Sequence, residues 1–565
     1  MFPVGHNPAF SPENFLVPAF PLAWPFSTLE TEYLKGWLSL LFGLLLVLAW
    51  MYRRRRGRPH PAERGGLIVA ALVGLAAFTN VGTFHGPTNP GPGPVVHGPD
   101  QFHYTMGLRY FPELGYTGLY PAALLALHVD APDPLAELDA WVYRDMRTYH
   151  LAAGRQALDE VIALRERFTP ERWQAFVRDV GFWAGYLGED RLRGVFLDHG
   201  FNPGPIYVLV GRILLPDTPL SHGLLVALSL IDPLLMVVGL AVLGWGLGWR
   251  APVLVVLLVG LLFPAQWAWV GGAFLRYGWL AALLTGIGLA GKGRYVATGL
   301  CFGLAAGLRS FPGFLLVGLA IPFLAEVARR YRAGQPVRPA SLWSGHRSGA
   351  YLRTVSGAAG VLLLLGVGAT LSAGADSWAA WNEKVSLHDS RFSPNSIGLA
   401  SAVMLDPSVT AETVAGQPDA NRVWDAGKRT LLAERLLILL GAVVGLFTLT
   451  VWTLRRTGVI ATVVLGIAWL YGTFTLSGYY YSFLALVPLA FLCPVADRER
   501  GWSPVLLATG GLLLANTAQI WAWQRYGPMD FVFGHQSLLL GGVLTVVLVG
   551  MHVRMAGTGP AQVSR

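Results

Sequence analysis

Charge is what this 565-residue chain has least of: Asp, Glu, Lys and Arg together make 13% of it, where a soluble globular chain carries about 25%. A soluble enzyme of this length would divide into several domains with charged surfaces. So little charge excludes that, and a disordered tail with it. Cysteine is scarcer still. Cys301 and Cys493 are the two present, each inside an apolar run, so a disulfide framework is excluded. No Lys or Arg precedes Lys35, and residues 1–33 lack a basic start and a continuous apolar stretch, so no cleaved secretory leader is expected. No internal repeat is visible, and no G-x-S-x-G element marks an acyl-transfer nucleophile.

What the chain does have is apolar: 53% hydrophobic residues, with 20 Trp and 68 Gly. That mixture suits interfacial anchors and close helix contacts in a bilayer. A hydrocarbon core about 30 Å thick needs roughly 20 apolar residues per helix. Thirteen stretches qualify, at 34–51, 65–84, 222–248, 251–271, 276–290, 295–309, 311–327, 355–373, 434–453, 457–475, 480–495, 503–522 and 536–553. The expected fold is an all-α polytopic membrane protein with about 13 transmembrane helices.

Every second connection is basic, from Arg53-Arg54-Arg55-Arg56 to Arg554, and these connections hold 21 of the 42 Lys and Arg. The positive-inside rule therefore predicts an N terminus outside and a C terminus in the cytoplasm. The net charge of +9 follows from this topology, and no nucleic acid is needed to explain it.

The organisation predicted is an outer tail (1–33), two spans (34–84), an acidic outer loop (85–221), spans three to eight (222–373), a second outer loop (374–433), spans nine to thirteen (434–553) and a cytoplasmic tail (554–565). The first loop holds 16 of the 33 acidic residues, so function is expected on the outer face. It begins with a Pro- and Gly-rich stretch that forbids regular structure. His97-Gly98-Pro99-Asp100-Gln101-Phe102-His103-Tyr104 then opens a helix, with Asp100 placed to cap it or to do chemistry. His97, Asp100 and His103 are spaced i, i+3, i+6, which splays the first and last around the helix. A divalent cation is open, and no metal or other cofactor is required. Further on, Asp145 lies between Arg144 and Arg147, and adjacent cations keep it ionised. Residues 155–197 read as amphipathic helices whose apolar stripes pack on each other or on the membrane. The loop closes with Asp198-His199-Gly200, then a short apolar run from Ile206 to Leu215 that is too brief to span, so an interfacial or re-entrant helix is expected.

Several of these segments resemble GT-C-type integral membrane glycosyltransferases, the mannosyltransferase-like enzymes that use polyprenyl-phosphate sugars. The likeness is carried by Asp100-Gln101-Phe102-His103-Tyr104 with Arg109-Tyr110-Phe111-Pro112-Glu113, by Arg309-Ser310-Phe311-Pro312, and by Trp381-Asn382-Glu383-Lys384 with His388 and Phe392-Ser393-Pro394-Asn395. The resemblance implies sugar transfer from a polyprenyl-phosphate carrier to a glycan, lipid or protein acceptor. It implies a bacterial inner membrane, with the site facing the periplasm. Asp100 becomes the general base, with a second carboxylate from Glu113, Asp145 or Asp198. The chain departs from the family in having two helices before the acidic loop rather than one, and in lacking a paired acidic motif at Asp100.

Such chemistry needs a base for the acceptor proton and positive charge for the leaving phosphate. Arg309, at the outer end of an apolar helix, is the candidate for the phosphate, ahead of Arg276, Arg212 and Lys384. His103, Arg109, Glu113, Lys384, His388, Asn395 and Tyr480 are candidate substrate contacts, although Tyr479-Tyr480-Tyr481 also suits an interfacial aromatic belt. The competing readings are a multi-span transporter, for which Asp232 is the buried acid, and a non-catalytic subunit of an envelope-glycan assembly system.

Overall fold

The computed structural model describes residues 28–84, 95–129, 131, 133–389, 391–417, 420–492, 498–526 and 529–557. Most of the expected outer tail, Cys493 and the last residues of the cytoplasmic tail lie outside these. Seven helices are long and apolar enough to cross a membrane: Glu30–Arg56, His222–Leu247, Phe311–Arg332, His346–Ala373, Leu436–Leu454, Trp502–Ala522 and Met529–Met555. Shorter apolar helices stand among them, including Arg250–Leu261, Gly278–Gly291, Tyr295–Leu308 and Val459–Thr473. Among the described residues, strands form two short antiparallel pairs, Val142–Arg144 with Leu151–Ala153 and Ser396–Ile397 with Leu476–Ser477. The protein is an all-α integral membrane protein.

A helix occupies every stretch expected to span, in whole or in part. The stretch 251–271 is the main departure, because its helix stops at Leu261. Leu262 is extended ahead of Phe263-Pro264, where proline cannot donate to a continuing helix and restricts the residue before it. The chain runs on through short turns, Phe263–Ala265 and Trp267–Val270. The stretch 480–495 is wound more tightly than an α-helix over Gly478–Leu492, with Pro488 inside it. Between Tyr295–Leu308 and Phe311–Val317 the chain breaks at Arg309, whose backbone is extended (φ −144°, ψ 134°).

Apolar side chains face outward on the long helices; Leu371 and Leu437 are each 83% exposed. In water such a surface would be a liability, and in a bilayer it is the lipid contact. Inside, small residues let backbones meet. A side chain on Gly246 would run into the Gly288 carbonyl, bringing His222–Leu247 and Gly278–Gly291 together, and Gly260 meets Gly74 in the same way. Such contacts supply the van der Waals packing that replaces hydrophobic driving force in lipid.

The segment expected as the first outer loop is a helical layer with its own core. Phe102, Phe176, Trp183 and Phe196 are fully buried there, each worth about 1.5–3 kcal/mol relative to exposure. The expected stripe of Trp173, Phe176, Val180 and Trp183 packs against Gly98–Arg109 and Leu119–Leu127 rather than on lipid. Thr169 caps Pro170–Leu187 by accepting from the Arg172 N–H (3.3 Å). The short helix expected after Ile206 is Pro205–Leu214, which packs on His346–Ala373. In the second outer loop, the Gly478 N–H donates to the Asn395 carbonyl (2.8 Å), tying that loop to Tyr479 and Tyr480.

Candidate functional site

The Gly98–Arg109 helix is the spine of the site. Its cap is His97, not Asp100 as expected: the His97 Nδ1 stands 3.3 Å from the Asp100 N–H. The same Nδ1 lies 2.9 Å from the Asp100 carboxylate. It accepts from the first group when unprotonated or donates to the second when protonated, not both. Asp100, in the first turn, extends its carboxylate to Arg276, and the two side chains form a partly buried ion pair. One turn on, the Tyr104 hydroxyl accepts from Arg309 (2.8 Å).

Arg276, only an alternative on sequence grounds, is the most thoroughly positioned cation of the site. It belongs to the turn before Gly278–Gly291, which its neighbours hold on three sides. The Gly272 carbonyl accepts from the His97 N–H (3.0 Å), the Gln101 side chain (3.2 Å) and Ser229 (2.8 Å). The Phe274 carbonyl accepts from the Tyr207 hydroxyl (2.6 Å), and Asp232 accepts the Tyr277 N–H (2.7 Å). Leu275, buried and immediately before Arg276, takes a left-handed backbone (φ 53°), a conformation costing about 1–2 kcal/mol in a non-glycine residue. The Arg276 guanidinium lies over the Tyr479 ring at 4.4 Å. The signals available in sequence were the Gly271-Gly272 pair and an arginine at the outer end of an apolar helix.

Arg309 lies over the Tyr207 ring at 5.2 Å and the Tyr104 ring at 5.7 Å. Among the described residues no carboxylate lies within ion-pair distance of it, and its Nε is buried without a hydrogen-bond partner. The Tyr479 and Tyr480 rings meet at a tilt with centroids 4.3 Å apart, and Tyr480 packs on Phe311 at 4.7 Å. These two tyrosines therefore gather around the arginines, in contrast to a purely lipid-facing belt.

A second cluster lies on an adjoining face of the same helix. His103 Nε2 meets the Tyr120 hydroxyl at 2.7 Å, and its Nδ1 is 3.8 Å from Asp198. Asp198 is 50% exposed. Burial would raise its carboxyl, yet His103, His199 and Arg144 together hold it below the ordinary carboxylate value. Lys384 is buried and donates to the Tyr116 (2.9 Å) and Phe201 (2.8 Å) carbonyls; burial lowers its ammonium to about 7, with Asp198 opposing. His388 packs edge-on against His199 at 5.1 Å, and burial lowers its imidazole. Gly200 (φ 69°) makes the turn after Asp198-His199, where a side chain would also strike Met146. His97 feels the charges of both Arg276 and Asp198, so the two clusters adjoin.

Other candidates are engaged elsewhere. Glu113 is held by Arg172 (2.7 Å), and Arg109 by Asp179 (2.8 Å) and the Pro216 and Thr218 carbonyls, away from both clusters. Asp145 uses both carboxylate oxygens in its own turn, accepting from the Arg147 N–H and the Thr148 hydroxyl at 2.9 Å each. Asp198, by contrast, is half exposed and lies beside His103. The Asn395 side chain accepts from Ser393 (2.8 Å), and Arg212 reaches Ser372 (3.4 Å). His97, Asp100 and His103 do not converge, and among the described residues no group of three His, Cys, Asp or Glu side chains forms a metal site.

No protein-family model matches the chain, and comparisons with curated proteins and with solved structures find no match either.

Proposed function

We propose that this protein is a GT-C-like glycosyltransferase of about thirteen membrane spans, moving a sugar from a polyprenyl-phosphate carrier to an acceptor on the outer, periplasmic face of a bacterial inner membrane. The observation that carries the reading is the convergence of Arg276 and Arg309, two largely buried guanidinium groups sharing a tyrosine wall, beside the Asp100 carboxylate. Guanidinium forks suit phosphate oxygens, and their position at the outer ends of apolar helices suits a phosphate attached to a lipid tail.

In the reaction, an acceptor oxygen attacks the anomeric carbon. The bond between that carbon and the phosphate oxygen breaks, and its electron pair leaves with polyprenyl phosphate. Asp100 takes the acceptor proton, and Arg276 and Arg309 stabilise the charge gathering on the leaving oxygens. Asp198, with His103 and Lys384 around it, lines the side from which a polar acceptor approaches. A multi-span transporter is the second reading: Asp232 accepts the Tyr277 N–H with one carboxylate oxygen and keeps the other buried without a hydrogen-bond partner.

The test is release of free polyprenyl phosphate from a panel of polyprenyl-phosphate sugars by the full chain in lipid nanodiscs, with and without a chelator. Wild type is expected to release it from at least one donor, and Asp100→Asn to be slower by about 10²–10⁴-fold, the range for losing a general base. Full turnover in Asp100→Asn removes Asp100 as base. No release and no donor binding by wild type favours a transporter or an assembly subunit.

A further inference from the structure

We propose that Arg276 is a donor-operated latch on Asp100: it holds the carboxylate while the site is empty and transfers its ion pair to the carrier phosphate when a lipid-linked donor arrives. The proposal rests on the glycosyltransferase reading and adds the order of events to it.

A carboxylate paired with a guanidinium is a poor proton acceptor, because the nearby positive charge stabilises its ionised form. Asp100 is in that state here, in contact with Arg276. For Asp100 to act as base, Arg276 must be drawn away. A phosphate oxygen is the natural competitor, being anionic and matched to the same planar fork. The surroundings of Arg276 favour this exchange over a permanent structural pair. Its Nε is buried and has no hydrogen-bond partner, leaving a donor unused on the group that already holds Asp100. The Tyr479 face beneath the guanidinium continues to Tyr480, which packs on Phe311, two residues after Arg309 in the chain. Tyr479 and Tyr480 also act on Arg309, so the same aromatic rings stand between the two arginines and can face a cation at either end.

The backbone before the arginine points the same way. Leu275 is a buried, β-unbranched apolar residue in a left-handed conformation, kept there by the bonds to Gly272, Phe274 and Tyr277. Strain of this kind persists where the surroundings over-determine it, and it gathers at ligand clamps and switches. A pair serving only stability needs no such turn; Glu113 and Arg172 form theirs between two ordinary helices. His97 remains beside Asp100 when Arg276 leaves. The acceptor proton then passes to Asp100 as the sugar–phosphate bond breaks, and no further reactant is needed.

The latch predicts an outcome that a simple base does not: removing the Asp100 charge should tighten donor binding. Farnesyl phosphate would be titrated into the full chain in nanodiscs for wild type, Asp100→Asn, Arg276→Gln and the double variant, each checked for a cooperative thermal transition. Asp100→Asn is expected to lower Kd by about tenfold, the order of a partly buried ion pair that no longer competes. Arg276→Gln should raise Kd, and the gain from Asp100→Asn should vanish in its background. If Arg276→Gln fails the folding check, Arg276→Lys takes its place, and the gain is then expected to shrink because the fork is lost. An unchanged or higher Kd in Asp100→Asn overturns the latch, as does a gain that persists without Arg276, which would be simple loss of nearby negative charge. Inorganic phosphate, run in parallel, should bind far more weakly; equal binding would overturn a carrier-operated latch. Absence of farnesyl phosphate binding in all four proteins is the separate failure of the glycosyltransferase reading.

Discussion

His97, His103 and His199 of the outer layer are held neutral in the folded protein. Burial is the largest cause in each case, and it lowers their imidazoles to about 3, about 4 and about 3 respectively. In the unfolded chain they take up protons near 6.5. Folded-state values below the unfolded one mean stability that is complete above about pH 6.5 and lost as pH falls through the folded values. Lys384, lowered to about 7, acts in the same direction at the top of the range, since at pH 7.5 the folded state has largely released a proton that the unfolded chain still holds. The thermal midpoint in nanodiscs should therefore drop between pH 7.5 and 4.5, and His103→Gln should flatten the drop. A midpoint that does not fall over that range contradicts this account. At this scale the sequence showed which residue types were out of place, and Asp100, Asp198, Arg309 and Lys384 all line the adjoining clusters. It did not show their partners. Glu113 and Arg109 have the same chemistry as the residues of the two clusters, but Arg172 and Asp179, 59 and 70 positions along the chain, pair with them. Only folding brings such pairs together.

Helices are the part of this protein that apolar run length predicts best, because the bilayer demands internally bonded backbone and a fixed span. The method fails where an apolar segment stops being helical. Residues 262–277 carry the turn that aims Arg276, yet most of them are as apolar as the helix they follow, so hydropathy merges the two. Pro264 and Gly271-Gly272 were the local signals. The elements that hold this turn depend on the contact between His222–Leu247, which supplies Ser229 and Asp232, and Gly278–Gly291. Gly246→Val should force these helices apart at Gly288 and cost about 1–3 kcal/mol, the usual range for overpacking. The expected result is a lower thermal midpoint together with weaker farnesyl phosphate binding, as the Arg276 turn loses its support. Unchanged values for both would show that the seam does not position the site.

At the scale of the whole molecule, lipid-facing helices carry a polar cluster at the end opposite the basic connections. Arg53 pairs with Glu63 near Arg250 at one end of the helices, and Asp100, Arg276 and Arg309 gather at the other. Charge placement alone separates these two ends in the sequence, and the acidic segment between the second and third apolar stretches was likewise legible. The layer's own aromatic core was less so, since an amphipathic stripe reads the same whether it meets lipid or another helix. The measurement closest to the central claim is photolabelling of the nanodisc protein by a polyprenyl phosphate bearing a diazirine beside the phosphate, with the labelled residues read by mass spectrometry. The account predicts label on the 271–277 turn, on Tyr479 and Tyr480, or on Gly98–Arg109, and loss of most of it in Arg309→Ala. Label confined to the basic ends of the helices, or unchanged by Arg309→Ala, would contradict it.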